Sequence, residues 1–178
     1  MVAKNVKRCY NGIMGWHDMD IPFPSPLGEF NRILGGESLT VIICTDERGG
    51  MLFNKRRVSR DEFVTLDIIN TVASSKLYIK PYSEKLFREY GGYELCDDPL
   101  SACGVGDYCF IEDEDISPFL GRADGLIVYN WCRAYPYDLK FDTPPAEFGF
   151  VRVDSKKFAG HSHKKIVKDV YRKNDTDN

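Results

Sequence analysis

The sequence predicts an α/β domain: a single mixed β-sheet flanked by helices, parallel at first and antiparallel at its C-terminal strands. Three observations predict it. Short apolar runs rich in β-branched residues alternate with helical patterns over the first two-thirds of the chain, as parallel strands with crossovers require. The last apolar runs follow one another without a helix between them, so these strands are expected to pair antiparallel. The chain has 178 residues, 43% hydrophobic and 29% charged, which suits one globular domain with a core of its own.

Residues 1–37 read as an N-terminal extension, partly irregular. IPFPSPLGEF places prolines where neither helix nor central strand tolerates them. Trp16, Phe23 and Phe30 suggest that part of it docks. Residues 38–178 read as a single α/β domain. LTVIICT, from Leu39, is a buried strand, and DERGG is the turn after it. Ser59-Arg60-Asp61-Glu62 fits a capping box, with Ser59 as the cap. Phe63, Leu66, Ile68, Ile69 and Val72 then form the stripe of a helix ending by Ser74.

KLYIK is a second strand, stopped by Pro81. Ser83 to Gly92 is a short helix closed by two glycines suited to a left-handed cap. YELCD is a weak strand, and Asp98 to Gly106 a loop. Asp107 to Asp113 is a third strand, with a short helix, ISPFLGR, behind it. Asp124 to Cys132 is the most apolar strand. FGFVRVDS is another, and KIVKDVYRK fits either a strand or a short helix.

Charge and cysteine usage narrow the function. The net charge is -3, which disfavours general nucleic-acid binding without excluding a local basic patch. Cys9, Cys44, Cys96, Cys103, Cys109 and Cys132 form no CxxC pair. Free thiols in a reducing cytoplasm are expected. With no apolar run near membrane-spanning length, no membrane association is expected.

The candidate sites each carry two readings. Lys55, Arg56, Arg57 and Arg60, beside Asp61, form either an anion site for a phosphorylated ligand or a solvated loop facing Asp46 and Glu47. The acidic run Glu112, Asp113, Glu114 and Asp115 could hold a hard cation, though without the spacing and glycine of an EF-hand loop; it otherwise caps a helix or meets a basic protein partner. Tyr129 and Trp131 share one face of a strand. With Arg133 and Tyr135 they either line a ligand pocket or a protein interface, or cover the sheet end. His161-Ser162-His163 offers a two-ligand metal clip or a base beside a serine, but His161 and His163 suit an exposed strand end better, and no metal site is expected. Cys103 looks exposed but lacks an evident base.

TVIICTDERGGMLFNKRRVSRDEF, and LIVYNWCRAYPYDLKFD followed by FGFVRV, resemble segments of the dihydrofolate reductase family. The resemblance implies that family's fold and makes Asp61 the match to its acidic pterin-binding residue. It does not extend to the nicotinamide cofactor. Where that family places glycines against a diphosphate, this chain has Lys80-Pro81 and the run Glu112 to Asp115. No cofactor is therefore expected, and no NADPH-dependent reduction. GGMLFNKRRVSRD and AGHSHKKIVKDVYR also look like segments of small bacterial proteins labelled ribonuclease Z. With three histidines and no HxHxDH, the chain lacks the ligands of a two-zinc hydrolase.

The resulting expectation is a non-catalytic cytoplasmic binding protein. One form is an inhibitor or immunity-type protein that docks on a protein partner through the acidic run and the aromatic strand end. The alternative is an enzyme or sensor that binds a phosphorylated small molecule or nucleic acid at the arginine loop. The exposed aromatic residues also make a homodimer an option.

Overall fold

The computed structural model describes residues 39–73 and 75–174. The expected extension over residues 1–37 lies outside them.

A seven-stranded sheet carries the fold, in the order β5-β4-β6-β1-β7-β10-β9. Its central strand β1 (Thr40–Thr45) is buried along its whole length. β1 runs parallel to β6 (Tyr108–Phe110) on one side and to β7 (Gly125–Asn130) on the other. β4 (Leu77–Ile79) and β5 (Glu94–Leu95) extend the parallel half. β9 (Phe150–Phe158) and β10 (Ile166–Lys173) complete the antiparallel half. The ambiguous C-terminal segment is thus a strand. Its alternating burial, with Ile166, Lys168 and Val170 inside, is the period-two signature of a pleated strand.

Alternation along β1 splits the core into two layers. Ile42 and Cys44 face helix α1 (Glu62–Val72), packing with Val64, Ile68, Val72, Phe110 and Tyr129. Val41 and Ile43 face the opposite layer with Met51, Leu100, Cys109 and Leu126. The face that α1 buries is rotated from the expected stripe. Val64, Ile68 and Val72 are inside, whereas Phe63, Leu66 and Ile69 are only half-buried. The reason lies in the polar residues on the same face. Asp67 and Thr71 point inward to Lys168 Nζ, at 2.6 and 2.8 Å, and the Tyr129 hydroxyl donates to Asp67 Oδ2 at 2.5 Å. Burial pulls the Lys168 ammonium below its ordinary pKa, and the neighbouring Asp67 carboxylate opposes that pull.

A smaller antiparallel sheet, β3-β2-β8, stands beside the large one where a loop was expected. It comprises β2 (Gly50–Phe53), β3 (Arg56–Arg57) and β8 (Leu139–Lys140). Asn54 and Lys55 join β2 to β3 with φ of 50° and 61°, the two left-handed residues of a tight hairpin turn. The helix expected from Ser83 is shorter: a 3-10 turn at Pro81–Ser83 and one turn of α2 (Glu84–Phe87). Its closing glycines have the expected positive φ. The loop after Asp98 contains one helical turn, α3 (Pro99–Ala102), which Asp98 caps. ISPFLGR forms only a 3-10 turn, Ser117–Phe119. Among the described residues no helix is long and apolar enough to cross a membrane.

Lys168→Met should leave the Asp67 carboxylate buried without its cation and cost about 3–5 kcal/mol, read from the urea midpoint at unchanged m. Adding Asp67→Leu should recover most of that loss. If Lys168→Met costs less than about 1 kcal/mol, the pair does not set the pose of α1.

Candidate functional site

In open α/β sheets, ligands enter at the C-terminal ends of the strands, where the chain switches direction across the sheet. Here that point lies beside β1, because the chain passes from β6 across β1 to β7. This crevice is filled by the protein's own side chains. The cavity left among Cys44, Asp61, Ile68, Phe110, Glu112 and Trp131 is about 10 Å³, room for no more than a water molecule.

Asp61 closes the crevice from the helix side. It is the N-cap of α1, its Oδ1 accepting from the Phe63 N–H at 3.0 Å. Oδ1 also accepts from the His161 N–H, and Oδ2 from the Ser162 N–H and Ser162 hydroxyl. His163 Nδ1 lies 2.9 Å from Oδ2. Five donors therefore converge on a group with about four lone-pair sites, and no acceptor remains for a ligand. Gly160 allows this approach, since a Cβ there would strike the Asp61 carboxylate. Burial alone would raise the Asp61 pKa. The bonds from His163 and the three backbone N–H groups outweigh burial and hold it below the ordinary range.

The clasp gives His163 a fixed orientation. An ionised Asp61 only accepts, so Nδ1 carries the proton and the Nε2 lone pair faces outward. Ser59 Oγ lies 2.9 Å from Nε2. The Tyr135 hydroxyl is 3.3 Å from Ser59 Oγ, and Trp131 stacks on the imidazole at 4.9 Å. Ser59 is thus not the helix cap. The shorter Asx geometry of Asp61, two residues from Phe63, takes the cap, and Ser59 turns to the histidine. Glu62 does not reach back to the cap either; it accepts from the Tyr90 hydroxyl.

The acidic run divides into separate roles. Glu112 is buried, 3.1 Å from an Arg57 guanidinium nitrogen and 2.7 Å from Ser83 Oγ. Burial dominates over the Arg57 charge and the Ser83 bond and pushes the Glu112 carboxyl up to about 7. Asp113 and Glu114 pair with Lys80 at 3.4 and 2.8 Å. This bridge links the segment after β4 to the segment after β6. Asp115 alone reaches the turn behind it, accepting from the Ser117 N–H, although Ile116 holds the N-cap position.

Open space lies outside the crevice, in a cleft of about 520 Å³ lined by Phe53, Asn54, Arg56, Arg57, Val58, Tyr135 and Pro136. The buried Asp46 builds its far wall. Its carboxylate accepts from the Arg48, Gly50 and Tyr135 N–H groups, at 2.8, 2.7 and 2.8 Å. Cys132, at φ 51°, turns the chain out of β7, with its N–H on Asn130 Oδ1. Arg133 lies over the Tyr135 ring, and Arg48 over the Tyr137 ring. The cleft itself is both cationic and aromatic, through Arg56 and Arg57 with Phe53 and Tyr135.

The structure brings Arg56, Arg57 and Tyr135 together on the open cleft, whereas Asp61 lines the closed crevice. Arg57 is largely committed, to Glu112, to the Tyr82 carbonyl and to the Tyr82 ring. Lys55, Arg56, Arg60 and Arg133 are exposed. Tyr129 and Trp131 share a face as expected, but that face lies under α1 and both are buried, as is Glu112. None of the three offers a partner a surface. Cys103 is buried too, and with burial its contact pushes the Cys109 thiol up. Sequence reasoning missed Asp46, Ser59 and His163 as site residues. Ser59 and His163 meet across 104 positions, and no local pattern announces that contact. Among the described residues, no group of three or more His, Cys, Asp or Glu could hold a metal ion.

No protein-family model matches the chain, and no curated protein matches it. Among solved structures it resembles a dihydrofolate reductase from Enterococcus faecalis, complexed there with NADP(H) and RAB-propyl. The TM-score is 0.55 at 11% identity, over 78% of this chain and 97% of that one. At this identity the likeness shows the fold alone: a dihydrofolate-reductase-like sheet, as the sequence segments suggested. The ribonuclease Z resemblance finds no support.

The Glu112 pKa, raised from 4.5 to about 7, makes stability depend on pH. Its stabilising contribution is complete below pH 4.5 and is lost as pH rises through about 7. Relative to Glu112→Gln, which does not titrate, the native chain should lose about 3 kcal/mol across that window. Urea denaturation of both proteins as a function of pH tests this. Parallel curves would place the Glu112 pKa near its ordinary value.

Proposed function

We propose that the chain binds an anionic ligand with an aromatic or otherwise planar part, of the size of a nucleotide, in the cleft between the β2–β3 hairpin and the Tyr135–Pro136 loop. The observation that carries this reading is the pairing of Arg56 with Phe53 and Tyr135 around about 520 Å³ of open space. That volume falls in the range of small-molecule sites. Arg56 supplies a planar pair of donors for a phosphate or carboxylate, and the rings supply a stacking surface. Arg133, over the Tyr135 ring, adds to the local positive potential in a chain whose net charge is -3, while Arg48 is paired with Asp46 at 3.8 Å. A single such ligand accounts for a local basic patch better than a long nucleic acid, which would need a wider basic face.

A reductase reading draws no support from the closed crevice and the saturated Asp61. The protein-partner reading loses Glu112, Tyr129 and Trp131 as docking residues but keeps one observation. β9 forms an edge of the large sheet, and its Val151 and Val153 are 41% and 42% exposed. Such an edge can add a strand from a partner or from a second copy of the chain.

Adenosine monophosphate serves as a probe of the cleft. Arg56→Ala should weaken its binding in calorimetry by about 10-fold or more, the worth of a charge-assisted hydrogen bond. Added salt should weaken it further. Equal affinity in Arg56→Ala and the native chain would remove the arginine cleft as the site.

A further inference from the structure

We propose that Ser59, His163 and Asp61 form a nucleophilic relay that cleaves carboxylic esters at the edge of the arginine cleft. The alignment rests on distances already given: Asp61 Oδ2 to His163 Nδ1, 2.9 Å, and His163 Nε2 to Ser59 Oγ, 2.9 Å. This is the arrangement that nucleophilic catalysis needs, with a hydroxyl on a base and the base held by a buried acceptor. Asp61 is a positioning residue. Its side chain is fully buried, and three backbone N–H groups fix it, so it sets the His163 tautomer without exchanging with solvent. Trp131, stacked on the ring, holds its plane.

Ser59 is accessible, unlike Asp61. It is partly exposed and stands between the two spaces: it lines the small crevice cavity, while Val58 and Tyr135, its chain neighbour and its hydrogen-bond partner, both line the open cleft. The Tyr135 hydroxyl lies 3.3 Å from both Ser59 Oγ and His163 Nε2, and when it donates to Ser59 Oγ the serine proton is left for Nε2. The Arg60 N–H, next in the chain, donates to no described residue and is the donor we assign to the oxyanion.

In the reaction, Ser59 Oγ bonds to the ester carbonyl carbon and its proton moves to His163 Nε2. The carbon–oxygen bond to the alcohol breaks, and the alcohol leaves with that proton. Water then attacks the Ser59 ester, gives a proton to His163, and releases the acid as Ser59 regains its proton. The net change is ester plus water to acid plus alcohol. The preferred substrate carries a second, anionic group that reaches Arg56; this part alone rests on the ligand reading above.

The test uses the full chain and a fluorophosphonate, which marks activated serines irrespective of the cleft's charge. Peptide mass spectrometry should find the adduct on Ser59, with none in Ser59→Ala. His163→Gln should slow labelling by about 100-fold or more. Asp61→Asn, confirmed as folded by circular dichroism, should change the pH profile of labelling, which a merely structural role would leave in place. Nitrophenyl succinate should be hydrolysed faster than nitrophenyl acetate, and Arg56→Ala should abolish that preference. No adduct on Ser59, or equal labelling in His163→Gln, overturns the relay. Labelling of Ser59 with equal rates on both esters overturns the anionic substrate class and leaves the relay standing.

Discussion

The Asp61 carboxylate is the constraint on which the rest of the site depends. It starts helix α1, ties down the turn between β9 and β10, and orients His163. These elements come from opposite ends of the domain. A charge buried at this cost is tolerable only because hydrogen bonds replace the lost water. The same bonds close the sheet-end crevice, because the turn they hold brings His163 against Trp131 and leaves no room between α1 and β7.

With the crevice closed, the space that can accept a ligand lies one layer further out. A second buried carboxylate, Asp46, makes that space. It gathers the backbone of the turn after β1 and of the chain leaving β7, and so stands Tyr135 opposite the β2–β3 hairpin. Arg57 joins the two regions, with its guanidinium inward on Glu112 and its backbone along the outer cleft. The fold thus keeps the sheet of a dihydrofolate-reductase-like domain while its inner site is occupied by an ion pair, a stacked Trp–His pair and a saturated carboxylate.

Much of the fold was legible because it rests on local periodicity. β1, β7 and the alternation of strand and helix followed from apolar runs, and the change from parallel to antiparallel pairing followed from missing crossovers. The short hairpin was not legible, since its turn, Asn54-Lys55, takes left-handed φ without a glycine. The rotation of α1 was hidden too: a stripe read from apolar residues cannot anticipate that Asp67 turns inward to meet Lys168. The site was legible only in part. That Arg56 and Tyr135 belong to basic and aromatic clusters shows in the sequence, and the fold sets both on one cleft. For Tyr129 and Trp131 the sequence leaves interface and covered sheet end open, because nothing local distinguishes the two; the fold buries both, and Glu112 with them. Ser59 with His163, like Asp46 with Tyr135, are long-range contacts that only the assembled chain reveals.

The central claim is that the inner crevice is closed and that recognition occurs in the outer cleft. A backbone amide NMR titration with an aryl phosphate tests it most directly. The account predicts shifts confined to residues 53–58 and 133–137, with Cys44, Val64 and Ile68 unmoved. Shifts centred on Cys44, Val64 and Ile68 would contradict it, because they would mean that the crevice opens and Asp61 gives up its hydrogen bonds to admit a ligand.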